Sequence, residues 1–154
     1  MTYSITLTEQ PEQTLYGLHQ PSSDRTQSRD IPSLSQRFSH QLGEKPGDIL
    51  PFYVVCTGYR PEDGSFSLFI GGERPCALEC ETLPSGTYAV LSVRPKLGFL
   101  WEPAIGQAKR WFYTRWLPES GYEVVNLEYE RHTLQAVGRN PSIELHFAIR
   151  RKTE

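Results

Sequence analysis

The sequence predicts an α+β fold: two β-α-β-β halves related by a pseudo-twofold, forming an antiparallel sheet with two helices on one side and a central cleft between the halves. Three observations lead there. Apolar residues alternate with period two in several short segments, they recur at helical spacing in two others, and the order strand, helix, strand, strand occurs twice at about half the chain length. One domain spanning residues 1–154 is expected, because a chain of this length buries a single core.

The elements follow in chain order. Residues 3–7 alternate polar and apolar side chains, and residues 14–18 read as their continuation after a polar break, giving a first strand. Ile31, Leu34, Phe38 and Leu42 then fall on one helical face that ends at Gly43, with Asp30 as the expected cap and Pro32 in the first turn. Residues 52–59 are β-branched and aromatic, and the turn chemistry of residues 60–64 joins them to alternating Phe66, Leu68 and Ile70 as a hairpin. Residues 87–93 form the next strand. Trp101, Ile105, Ala108, Phe112 and Trp116 mark one face of a second helix expected to end at Pro118, and residues 124–132 and 143–150 supply the last two strands.

Composition narrows the function. Sixteen Lys and Arg against eighteen Asp and Glu leave a net charge of -2, which lacks the basic field of a nucleic-acid binder, so no direct DNA binding is expected. The basic residues Arg150, Arg151 and Lys152, and Lys109, Arg110 and Arg115, read as solvated faces. No apolar run approaches the roughly 20 residues of a membrane span, and no apolar segment follows Met1, so a cytoplasmic protein without membrane contact is expected. Cys56, Cys76 and Cys80 are an odd number without metal-ligand spacing, and His19, His40, His132 and His146 form no close pair. Neither a metal nor a cofactor is expected.

The longest motif is Phe112-Tyr113-x-x-Trp116-Leu117-Pro118-Glu119-Ser120-Gly121-Tyr122-Glu123, followed by Glu128-Tyr129-Glu130-Arg131-His132. Supporting it in order are Asp30-Ile31-Pro32-x-Leu34, Tyr53-Val54-Val55-Cys56-Thr57-Gly58-Tyr59, Ile70-Gly71-x-Glu73, Leu83-Pro84-x-Gly86-x-Tyr88 and Glu144-Leu145-x-Phe147. Across nearly its whole length the chain resembles the gyrase-inhibitor-like, AraC-type effector-binding domains of bacterial regulators. It departs from their pattern at Lys109, where the family usually has Trp, at His132 for Tyr, at Val54 for Gly and at Ala148 for Pro.

The resemblance implies a standalone small-molecule-binding domain for lipophilic, cationic compounds, serving drug sensing or sequestration. The resemblance also allows for a protein partner that reads the ligand's arrival. Glu130 aligns with the family's central acidic residue and is the expected charge partner, and strand alternation places Glu128 and His132 on its face. Tyr53, Phe69, Trp101 and Phe112 are candidate wall residues, each weighed against plain core packing. Lys109 is expected to snorkel outward. Two alternatives share the same cleft or family. One is a hydrolase of strained, electrophilic compounds, with Glu130 as base and Tyr53 or His132 polarising the substrate; the other is a protein antagonist of DNA gyrase. No catalytic residue is assigned on the leading reading.

Overall fold

In a computed structural model, which describes residues 3–45, 48–98 and 100–153, the alternating segments become eight strands of one antiparallel sheet. They are β1 (Ile5–Gln10), β2 (Gln13–Ser23), β3 (Phe52–Arg60), β4 (Ser65–Gly72), β5 (Glu79–Leu83), β6 (Gly86–Val93), β7 (Tyr122–His132) and β8 (Ile143–Arg151). Their spatial order is β1-β6-β8-β7-β3-β4-β2-β5. Helix α1 is Gln27–Leu42; α2 is Trp101–Trp111, continued by a π-helical turn, Phe112–Trp116, and a short α3, Leu117–Ser120. A β-α-β-β series therefore lies on each side of the β3–β7 seam: β2, α1, β3, β4 on one, β6, α2, β7, β8 on the other.

The first expected strand is in fact two, and they part company. Pro11 and Glu12 separate β1, which pairs with β6, from β2, which pairs with β4 and β5 at the other end of the sheet. In a flat sheet six strand spacings, roughly 29 Å, would lie between them, whereas two linking residues reach roughly 11 Å. Pro84 and Ser85 join β5 to β6 under the same constraint. The sheet must curl until its two ends meet, and side chains on the inner face fill the space: Leu15, Tyr53, Val55, Phe69, Leu83, Tyr88, Tyr129 and Ala148.

The outer face carries the helices. Leu34 and Phe38 of α1 pack on Leu18, Val54, Phe66, Leu68 and Ile70. Ala104, Ala108 and Phe112 pack on Ala89, Leu91, Leu145, Phe147 and Ile149. Strand β5 escaped the periodicity argument because it is an edge strand with three exposed residues of five, Glu79, Cys80 and Thr82.

Two helix ends also differ from expectation. Helix α1 begins at Gln27 with Thr26 before it, so Asp30 stands in the first turn and is not the cap, and Pro32 lies inside the helix. Asp30 is buried and accepts hydrogen bonds from Thr26 Oγ1 (2.7 Å) and Ser22 Oγ (2.8 Å). Pro118 does not end the second helix: it falls at the start of α3, where a missing N–H is tolerated, and Gly121, at φ 77°, terminates it.

These hydrogen bonds, first from Thr26 and then from Ser22, hold the Asp30 carboxyl below its ordinary pKa. A carboxylate depressed by folding stabilises the native state above its unfolded pKa, about 3.9, and loses that contribution as pH falls through the folded value. Asp30→Asn is accordingly expected to lower the thermal midpoint at neutral pH, with the gap from wild type closing on acidification below about pH 4. A gap that stays constant in thermal scans down to acid pH would show that the carboxylate's charge is immaterial.

Candidate ligand-binding cleft

Strand register decides which side chains meet between the helices. Phe52, Val54 and Cys56 of β3 stand directly opposite His132, Glu130 and Glu128 of β7, and directly paired residues share a face. These six side chains form the floor of a cleft over the β3–β7 seam, walled by α1 and α2. Its larger chamber, about 510 Å³, is bounded by Ile31 and Pro32 of α1, Trp101 and Ile105 of α2, and Phe52, Glu130 and His132 of the floor. A second chamber of about 350 Å³ adjoins it, lined by Cys56, Tyr59, Phe66, Tyr113, Asn126 and Glu128. Gln27 and Lys109 border both.

Glu130 is 9% exposed, and its one hydrogen-bonding side chain among the described residues is His132, with Nε2 3.1 Å from Glu130 Oε1. His132 is held in turn by edge contacts with Phe52 (5.6 Å between ring centres) and Trp101 (6.4 Å). The larger chamber thus offers a nearly buried carboxylate among aromatic and aliphatic walls. Such a group is costly to bury without a full counter-charge, and a cation arriving there offsets that cost.

Glu128 is better provided. Lys109 Nζ lies 2.7 Å from its Oε2, and Tyr113 Oη donates to its Oε1 at 2.6 Å. Lys109 therefore turns inward and does not snorkel. Burial by itself would lower the pKa of the Lys109 ammonium, but the negative charges of Glu128, and of Glu130 beyond it, hold it above its ordinary value. Burial likewise works against ionised Glu128, yet Lys109, with the Tyr113 hydrogen bond, keeps that carboxyl below its usual range. The Cys56 thiol at the same floor is pushed up to about 12, chiefly by burial, and stays protonated.

Comparison with known proteins identifies the family and the fold. The family profile of Cass2, described as an integron-associated effector binding protein, matches residues 6–149. The chain belongs to this family. Solved structures agree in fold. SAV2435 bound to tetraphenylphosphonium is 17% identical with a TM-score of 0.69, over 96% of this chain and 94% of that one. The integron cassette protein VCH_CASS2 from the mobile metagenome of Vibrio cholerae is 14% identical, with a TM-score of 0.65 over 97% and 100%. The C-terminal domain of EcmrR is 15% identical, with a TM-score of 0.65 over 99% and 100%. A search of curated proteins found no match.

Within this effector-binding fold the sequence-predicted residues divide. Glu130, His132 and Trp101 come together in the larger chamber. Tyr53 and Phe69 point to the inner face of the sheet, away from the helices, because they are odd neighbours of Val54 and Ile70 in strict alternation. Tyr53 Oη donates to Glu73 (2.5 Å) and accepts from Arg131 Nε (3.1 Å), and burial comes first among the causes that raise its phenol pKa to about 12. It lines a separate recess of about 550 Å³ at the mouth of the curled sheet. There Arg131, Glu144, His146, Tyr129 and Gln10 already hydrogen-bond one another. Phe112 is fully buried in the core beneath α2, stacked on Phe147.

The residues that sequence reasoning missed in the cleft are Phe52, Ile31, Pro32 and Ile105 in the larger chamber and Tyr113 in the smaller. Ile31 and Ile105 were legible as helix-face residues, but only the packing shows that they reach past their own helix to the cleft. Among the described residues there is no cluster of three metal-ligating side chains, and no helix is long and apolar enough to cross a membrane.

Proposed function

We propose that this effector-binding protein takes up a lipophilic monocation in the larger chamber, with Glu130 as charge partner and Trp101, Phe52, His132, Ile31 and Ile105 as the wall. The observation that carries the reading is Glu130 itself: a carboxylate 9% exposed, on the floor of a mainly apolar cleft, with His132 as its one hydrogen-bonding side chain among the described residues. An organic cation supplies the missing charge, while its apolar groups displace water from the walls and its charge meets aromatic faces, each contact worth about 0.5–2 kcal/mol. Tetraphenylphosphonium in the related SAV2435 is a ligand of this class, which supports the reading.

Titration with tetraphenylphosphonium, followed by tryptophan fluorescence from Trp101, tests it. Glu130→Gln keeps the shape of the site and removes the charge, so affinity is expected to fall at least tenfold, about 1.4 kcal/mol. Equal affinity in the two proteins would remove Glu130 from the site. The contact between His132 and Glu130 also suits a general base, which keeps a hydrolytic reading in view. Catalytic loss of a cyclopropane-bearing electrophile at substoichiometric protein would favour it. Tyr53, on the other face of the sheet, could not polarise that substrate.

A further inference from the structure

Two carboxylates, Glu128 and Glu130, stand on one face of β7 two residues apart, a spacing of about 6.6 Å along a strand. Each looks into its own chamber of the cleft, and the chambers meet at Lys109 and Gln27. The two sites differ in what they lack. At Glu128 both carboxylate oxygens are engaged, by an ammonium at 2.7 Å and a phenol at 2.6 Å. At Glu130 one histidine supplies one contact. The smaller chamber is otherwise suited to a cation: Tyr59, Phe66 and Tyr113 give it aromatic walls, and Asp24 adds a further carboxylate at its rim.

We propose that Lys109 is a built-in cation that occupies a second anionic subsite at Glu128, so that the cleft accepts lipophilic monocations at Glu130 and excludes dications. Lys109 reaches the subsite because it follows Ala108, which is wholly buried against the sheet, and so lies on the edge of the buried face of α2. Tyr113, one helical turn on, approaches the same carboxylate from the π-helical turn. With Lys109 in place the two floor carboxylates carry one unmatched charge between them; without it they carry two. A rigid aromatic dication spaced to match alternate strand residues would then find both. This inference deepens the reading of the cleft as a cation site and rests on it.

The test compares two probes, tetraphenylphosphonium and the bipyridinium dication methyl viologen, by calorimetric titration. Wild type is expected to prefer the monocation. In Lys109→Met the preference is expected to shift toward the dication at least tenfold, and in Lys109→Met with Glu128→Gln it is expected to return to near the wild-type ratio, because the second charge is gone. Glu128→Gln by itself is a reciprocal arm that does not require the Lys109 variant to fold. There the released ammonium is free to turn to Glu130, and tetraphenylphosphonium affinity is expected to drop at least fivefold. An unchanged probe ratio in folded Lys109→Met, or unchanged monocation affinity in Glu128→Gln, overturns the role of Lys109 while leaving the cation site standing. Failure of wild type to bind tetraphenylphosphonium at all overturns both.

Discussion

Phe112→Ala is expected to lower the thermal midpoint by roughly 10 °C, corresponding to about 3–5 kcal/mol, while the molecules that remain folded bind tetraphenylphosphonium as wild type does. The ring is wholly buried, lies 3.8 Å centre to centre on Phe147 and 5.3 Å from Trp116, and joins the second helix to β8. Truncation removes its apolar burial and leaves a cavity that the stacked neighbours cannot close without losing their own contacts. Differential scanning calorimetry together with titration separates the two roles that sequence left open for this residue. A midpoint near that of wild type with weakened cation binding would return Phe112 to the ligand wall.

Gly17→Ala is expected to be similarly severe for a different reason. Gly17 of β2 pairs with Gly71 of β4, and the two backbones cross so closely that a Cβ at position 17 would lie 1.9 Å from the Ile70 carbonyl oxygen. A Cβ at position 71 would lie 2.4 Å from the Tyr16 carbonyl oxygen. The obstacle at position 17 is all backbone, which can move only by breaking the β2–β4 ladder, and overpacking of this kind costs about 3 kcal/mol. Chemical denaturation should show a lower midpoint with an unchanged slope. Alanine tolerated at position 17 would mean that the strands separate more readily than this pairing allows. The paired glycines sit where β2 leaves β4 to meet β5, so they mark the corner at which the sheet turns.

The cleft was partly legible in the residues. Glu130, Glu128 and His132 share a face because strand alternation is local, and the motif that contains them singled out Glu130. Trp101 was legible as a helix-face aromatic. Tyr53 and Phe69 went astray because alternation says which residues share a face, not which face carries the helices; a shift of one residue exchanges the two. Val54 and not Tyr53 faces α1, and that follows only from the pairing of β3 with β7. Lys109 went astray because its partner lies nineteen positions away on another element, and an ammonium turns inward only when a carboxylate waits there.

By itself the sequence determined the element types, the two helical faces, the absence of a basic field and the family to which the chain belongs. The first three depend on side-chain periodicity, turn residues and composition, which act within a few positions of the chain, and the family on short motifs that occur in order along it. Tertiary structure alone decided that β1 and β2 part to opposite ends of the sheet, that β5 exists as an edge, and that Lys109 meets Glu128 where the two chambers of the cleft adjoin. Those outcomes depend on pairings between residues far apart in sequence, made when a two-residue link forces the sheet to curl and brings α2 over the carboxylates of β7. No local pattern encodes a contact whose partner is supplied by the fold.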